Sequence, residues 1–277
     1  QEDCMTFMEK MKDEGLLVDI IVTSPPYNIN KEYGAYRDNK AENDYLDWLQ
    51  NVAKASRSIL KDDGSFFLNI GGRTENPLLP LKLAKRFESQ YKLQNTIHWI
   101  KSVSIDPEDV GKSNGYRIRE NLSVGHFSPI VSERYLNPLQ EYVFHFTKTG
   151  NIKIDKLRVG VTYQDKTNIG RWKSATRDKR DRGNVWLIPH ATIQEGRPHP
   201  AVFPVKLPQR CIELHGIKTN MLVYDPFMGI GTTALACIRL KVNYIGTEID
   251  PQYIKLAHEQ ISGRIEQYLQ GDEDALI

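Results

Sequence analysis

Apolar residues in this chain fall into short, nearly unbroken runs separated by stretches of helical period. Six runs predict buried strands: VDIIVT (Val18 to Thr23), GSFFLNIG (Gly64 to Gly71), TIHWIK (Thr96 to Lys101), EYVFHFTK (Glu141 to Lys148), NMLVYD (Asn220 to Asp225) and VNYIGTEI (Val242 to Ile249). Runs of this length, rich in β-branched and aromatic residues and bounded by Gly, Pro or Asp, suit strands buried on both faces. Four other segments have helical spacing: Asp44 to Leu60, Pro77 to Ser89, Thr232 to Leu240 and Pro251 to Ile265. In the first, Tyr45, Leu46, Leu49, Val52, Ala53, Ser56, Ile59 and Leu60 fall close to one face. Strands alternating with helices of about 10–15 residues predict an α/β fold built on a mostly parallel sheet.

Two stretches break the alternation. Residues 102–139 are polar and glycine-rich, and residues 151–200 are basic, with Gly, Trp and Arg. Both are too long for simple connections in an α/β domain, and loops of that size usually carry function.

Candidate chemistry gathers where strands end. Open α/β sheets bind ligands at the carboxyl ends of their strands. One strand here ends in TSPPYN (Thr23 to Asn28), another in DPFMGIGTT (Asp225 to Thr233) and a third at Glu248. In the second, Gly229 and Gly231 let backbone approach a ligand, and Thr232 and Thr233 add hydroxyls at a helix start suited to a carboxylate or phosphate. Glu248, 23 positions after Asp225, is placed to accept two ribose hydroxyls. Taken alone, this turn is also compatible with an ordinary strand-to-helix connection. The third glycine of the dinucleotide fingerprint is missing, which argues against a nucleotide-dependent oxidoreductase. In TSPPYN, two prolines stiffen the backbone. Ser24 and the Pro25 carbonyl then offer two acceptors to one small amino group, while Tyr27 offers a ring face to a planar base. The plainer reading is a proline stop after a buried strand.

Together, these motifs resemble the S-adenosylmethionine-dependent DNA amino-methyltransferases. Their catalytic tetrapeptide (D/N/S)-P-P-(Y/F) is matched by Ser24, Pro25, Pro26 and Tyr27, and their cofactor motif D-x-F-x-G-x-G-T by Asp225 through Thr232, including Phe227. The order, catalysis before cofactor, resembles the beta class. The resemblance implies a Rossmann-like, mostly parallel sheet with helices on both faces and a target-recognition insertion. It divides the chain into a catalytic half (1–101), an insertion (102–198, holding a strand near 141–148 that is a candidate member of the core sheet) and a cofactor-binding half (199–277). It also implies S-adenosylmethionine contacts from Asp3, Cys4, His199, Phe203, Pro204, Glu248 and Asp250. Double-stranded DNA is the implied partner, with the target base flipped out of the helix. A homodimer is a frequent assembly of the class. Ser in the tetrapeptide implies cytosine N4 as the first choice and adenine N6 as the second, with a non-catalytic DNA-binding relative as the remoter reading.

Charge adds one element. The net charge is only +2, yet Lys148 to Arg182 holds eleven Lys/Arg against four Asp. Lys166, Arg171, Lys173, Arg177, Lys179, Arg180 and Arg182 are therefore candidate DNA contacts, with a solvated basic loop as the plainer reading. No metal spacing is present, and three scattered cysteines point to an intracellular setting. No apolar run reaches the roughly 18 residues of a membrane span.

Overall fold

The computed structural model describes residues 1–28, 32–33, 36–110, 118, 120–127, 129–171, 178–190 and 202–269. In chain order the principal elements are α1 (Cys4–Asp13), β1 (Val18–Thr23), α2 (Glu42–Ile59), β2 (Leu60–Ile70), α3 (Leu79–Phe87), β3 (Lys92–Ile100), β4 (Gln140–Thr147), β5 (Val185–Leu187), α4 (Lys206–His215), β6 (Leu222–Asp225), α5 (Thr232–Leu240), β7 (Asn243–Gly246) and α6 (Pro251–Leu269). The seven strands form one sheet in the order β7-β6-β1-β2-β4-β3-β5. β4 runs antiparallel to β2 and β3, while the other pairings are parallel.

Both faces of the sheet are covered, as the alternation predicts. All six residues of β1 are buried. Val18, Ile21, Phe66, Leu68, Phe144 and Phe146 pack under α1, α2 and α3. Ile20, Val22, Phe67, Trp99 and Val143 pack under α4 and α5. β1 lies between β6 and β2, so the chain on its two sides comes from opposite ends of the sequence. That makes the β1/β6 boundary the switch point, where strand carboxyl ends open a crevice.

Some boundaries differ from the sequence expectation. β2 starts at Leu60, immediately after α2, and runs through Asp62-Asp63-Gly64, a triplet of turn-like composition. The register beside β1 shifts there, from Val18↔Leu60 to Ile20↔Ser65, so the polar residues are accommodated as an irregularity within one strand. A Cβ on Gly64 would lie 2.7 Å from Leu60 Cδ1 and 2.9 Å from the Asp19 carbonyl, so the strand requires glycine at that point. β3 starts at Lys92 because its polar first residues find partners on β4, beginning with Lys92↔Thr147. α1, α4 and the three-residue edge strand β5 were not predicted. α1 hides its apolar face in three residues, Cys4, Met8 and Met11, at helical spacing.

A polar cluster lies inside this core. Ser65 Oγ is 2.9 Å from both His145 Nε2 and His215 Nδ1, and Asn95 Nδ2 is 2.9 Å from His145 Nδ1. His145 stacks on Phe67 with ring centroids 4.4 Å apart. Burial holds both imidazoles neutral, lowering His145 to about 3 and His215 to about 4. The unfolded chain takes up these protons near pH 6.5. The stability contributed by the two groups is therefore complete above that pH and is lost as pH falls toward 4 and then 3. Urea unfolding should show a loss of about 2 kcal/mol per histidine between pH 7.5 and 5. A His145→Gln/His215→Gln double variant should show a clearly smaller loss over the same interval; an equal loss would refute the assignment.

Candidate active site

Three loops leave the carboxyl edge of the sheet at adjacent strands and meet in one cavity of about 200 Å³. The loop after β1 brings Ser24, Pro25, Pro26 and Tyr27 to its wall. The loop after β6 brings Pro226 through Ile230, and the loop after β7 brings Glu248, Ile249 and Asp250.

Asp225, at the end of β6, joins the first two loops. Its Oδ1 accepts from Thr23 Oγ1 at 2.6 Å and from the Phe227 amide at 3.0 Å, and its Oδ2 accepts from Thr233 Oγ1 at 2.6 Å. Burial raises this carboxyl to about 6, against the lowering effect of those three donors. Asp225 and Thr233 are each 1% exposed and lie behind the cavity wall, whereas Thr232 lines it. The sequence reading gave Thr233 a ligand; the structure gives its hydroxyl to Asp225.

Glu248 holds the glycine turn from the other side. Oε2 accepts from the Gly229 amide at 3.0 Å, and Oε1 accepts from the Ile249 and Asp250 amides at 2.9 Å each. Burial raises its pKa. Oε2 retains an acceptor position, since a carboxylate oxygen can take two donors. Gly229 lines the cavity with φ 54°. Gly231 serves packing rather than ligand approach. At φ 90° it caps α5, and a Cβ there would lie 3.1 Å from Ile261 Cδ1 and 3.3 Å from Ala257 Cβ on α6.

The remaining candidates around the cavity also divide. Asp3 and Cys4 line it. Asp3 is the N-cap of α1, accepting from the amides of Met5 and Thr6, and burial pushes the Cys4 thiol up to about 12. Phe203 lines the cavity beside Val202. Pro204 instead accepts from the Leu207 amide at the start of α4. His199 lies outside the described residues.

The diproline corner is fixed by its neighbours. Tyr45 on α2 donates to the Pro26 carbonyl at 2.7 Å. Asn28, at φ 57°, donates its amide to Asp38 and exchanges two hydrogen bonds with the Lys40 backbone. Ser24 Oγ donates to the Tyr27 hydroxyl at 2.9 Å, and Tyr27 donates to Glu141 Oε2 at 2.8 Å. Asn69 Nδ2 donates to the Tyr27 oxygen and, at 2.7 Å, to Glu141 Oε2. Lys101 Nζ pairs with Glu141 Oε1 at 3.0 Å. Burial, followed by the Glu141 charge, raises the Tyr27 pKa well above its ordinary value.

Sequence reasoning missed Asn69, Lys101 and Glu141, which come together only through the strand order β2-β4-β3. A single polar residue inside the FFLNI run and a carboxylate at the head of a buried strand were the available signals. It also missed Trp48 and Lys40, which complete an aromatic wall with Tyr36 and Phe227. Trp48 stacks on Tyr36 at 5.4 Å and meets the Phe227 edge at 5.5 Å, with the Lys40 ammonium 5.4 Å from the Tyr36 ring centroid.

Among the basic candidates, Lys166 pairs with Asp178, and Arg171 is exposed beside Asn168. Arg180 is exposed and joins Val161 through its backbone, and Lys179 is half-buried. Arg182 Nε donates to the Val159 carbonyl, so part of its guanidinium is used inside the fold. Lys173 and Arg177 lie outside the described residues.

Comparison with known proteins follows the same geometry. The family model described as DNA methylase (N6/N4) matches residues 18–259. The type II methyltransferase M.BglII of Bacillus subtilis is 26% identical over 94% of this chain and 68% of its own length. The DNA adenine methyltransferase YhdJ of Escherichia coli K12 is 27% identical over 92% of this chain and 79% of its own. Among solved structures, the cytosine-N4-specific PvuII DNA methyltransferase superposes with a TM-score of 0.62 at 22% identity, covering 98% of this chain and 92% of that one. A putative DNA modification methylase of Thermus thermophilus, solved with S-adenosyl-L-methionine, gives 0.54 at 20% identity, covering 94% and 92%. With its two motifs facing one cavity and the family model spanning the whole sheet, the chain belongs to the DNA methylase family and is a DNA amino-methyltransferase of the N4/N6 group.

Proposed function

We propose that this protein transfers a methyl group from S-adenosylmethionine to the N4 amino group of a cytosine flipped out of double-stranded DNA. One observation carries the reading: the Ser24–Tyr27 corner and the Pro226–Ile230 turn share a cavity with Glu248.

The wall chemistry fits the cofactor. Glu248 would take ribose hydroxyls on its remaining acceptor position. Phe227 and Ile249 supply apolar surface for a purine. The backbone around Gly229 and the Thr232 hydroxyl suit a carboxylate at the start of α5. Asp3, Cys4, Phe203 and Asp250 complete the enclosure, while Asp225 and Thr233 act from behind the wall. When bound, S-adenosylmethionine supplies an electrophilic methyl group on a sulfonium.

The protein has to make an amino nitrogen nucleophilic, because its lone pair is delocalised into the base. Ser24 Oγ and the Pro25 carbonyl accept its two hydrogens, which favours a pyramidal nitrogen with a localised pair. Tyr45 holds the adjoining Pro26 carbonyl and so keeps the corner in place. Orientation of this kind supplies several of the roughly 7–11 kcal/mol available to a well-placed pair. No covalent enzyme intermediate is required, in keeping with a Cys4 thiol that burial keeps protonated.

Cytosine N4 is preferred over adenine N6 because Ser heads the tetrapeptide, the form most family members use on cytosine. The basic run supports phosphate contacts. Arg171, Lys179 and Arg180 are the first candidates for the backbone, while Arg182 shares its guanidinium with the Val159 carbonyl and Lys166 its charge with Asp178; Lys173 and Arg177 are proposed from the basic run of the sequence alone.

Nucleoside mass analysis of DNA treated with the protein and cofactor should show N4-methylcytosine; N6-methyladenine would overturn the base assignment while keeping the chemistry. Ser24→Ala should slow single-turnover methylation about 10²-fold or more, by analogy with loss of a transition-state hydrogen-bonding group, with cofactor affinity held within about twofold, as checked by calorimetry. Asp225→Asn should act in the opposite sense, weakening cofactor binding at least about tenfold, the cost of about 1.4 kcal/mol from one weakened charge-assisted bond. For the insertion, Arg171→Ala should flatten the salt dependence of DNA binding by about 0.9 in log–log slope; an unchanged slope would remove that residue from the phosphate surface.

A further inference from the structure

We propose that Glu141 is a positioning residue for methyl transfer: through Tyr27 it fixes the direction of the Ser24 hydroxyl and receives the proton released by the target amino group. This rests on the amino-methyltransferase reading above.

The direction of the chain follows from which groups can donate. A carboxylate only accepts. Glu141 Oε2 is met at 2.8 Å by the Tyr27 hydroxyl and at 2.7 Å by Asn69 Nδ2, so the phenol proton is committed to Glu141. The Tyr27 oxygen then takes Asn69 Nδ2 on one side and the Ser24 hydroxyl on the other. With its own proton spent on Tyr27, Ser24 Oγ has only lone pairs left for the cavity. That polarity suits an amino group and opposes a carbonyl at the same position.

Asn69 carries a mark of the constraint. Among the described residues, its buried Oδ1 has no hydrogen-bond partner. A buried acceptor left without a partner is unfavourable. Turning the amide over would bring that oxygen against Glu141, so the carboxylate holds it in place. On the far side, Lys101 Nζ at 3.0 Å occupies Oε1 and leaves Oε2 to the chain. Among the described residues, the titratable or charged groups in contact with Glu141 are Lys101 from the end of β3 and Tyr27 from the loop after β1.

The transfer balances as follows. The amino nitrogen's pair forms the N–C bond to the methyl carbon, and the C–S pair returns to sulfur. The nitrogen, now carrying an extra positive charge, gives a proton to Ser24 Oγ. Ser24 passes its own proton to Tyr27, and Tyr27 passes its own to Glu141, which becomes a neutral acid. The Glu141 side chain is 13% exposed, which leaves water a route to remove that proton afterwards.

The test uses the full chain with amplified, unmodified DNA. Glu141→Gln should lower single-turnover methylation about 10²–10³-fold, the range for positioned proton transfer. Affinities for S-adenosylmethionine and DNA, measured by calorimetry, should stay within about twofold. The pH–rate profile of the Gln variant should differ in shape from that of the wild type, a change that a merely structural role would not produce. Formate should restore activity to Glu141→Ala. Tyr27→Phe, which removes one atom, should be as slow as Glu141→Gln, with the double variant no slower; it also carries the test if the Glu141 variants do not fold. A Gln variant at wild-type rate, or one that loses rate only in proportion to ligand affinity while keeping the wild-type pH–rate profile, overturns the proposal. A wild type that methylates no DNA overturns the functional reading and this proposal together; an active wild type with an active Glu141→Gln overturns this proposal alone.

Discussion

The site depends on one buried carboxylate. Thr23 and Thr233 are separated by most of the sequence, yet both hydroxyls donate to Asp225. Thr23 is the last residue of β1, and Thr233 lies in the first turn of α5. Asp225 therefore sets the spacing between the loop that presents Ser24 and the loop that presents Gly229. A carboxylate is suited to this work because it accepts several donors at once, here two hydroxyls and an amide. Its burial shifts its pKa upward but does not remove it from the network. Glu248 does the same for the far side of the turn, using three backbone amides.

This division of labour changes how the motif residues are read. Gly231 admits α6, Asp225 and Thr233 brace, and Gly229, Phe227 and Thr232 form wall. A motif written as a string mixes residues of these kinds, because a string carries no direction. The diproline corner is similar. Tyr27, expected to offer its ring to a base, also anchors a hydrogen-bond chain through its hydroxyl.

The parts legible in the sequence were those whose signals are local. A β-branched run stopped by two prolines announces β1 and the corner after it, and a run ending in Asp225 before glycines announces β6 and its turn. Their shared cavity followed from the rule for strand carboxyl ends. What stayed hidden depends on pairing. Asn69 and Glu141 are 72 positions apart and meet only because β4 runs antiparallel beside β2. β5 is three residues long and owes its existence to the β3 edge, which no periodicity could reveal. The Asp62-Asp63-Gly64 triplet has turn composition, but β1 holds it inside a continuous strand, so tertiary pairing overrode local preference.

The segment 102–139 leaves the sheet after β3 and returns at β4, and its two feet are fastened together. Lys101 donates its amide to the Leu139 carbonyl at 2.8 Å, and its ammonium bridges to Glu141. Closing a longer excursion over fastened feet costs little extra, since loop entropy grows only with the logarithm of length. The sheet is thus mechanically indifferent to what the excursion contains. Exchanging it between Lys101 and Glu141 amounts to a graft onto a pre-tied stem.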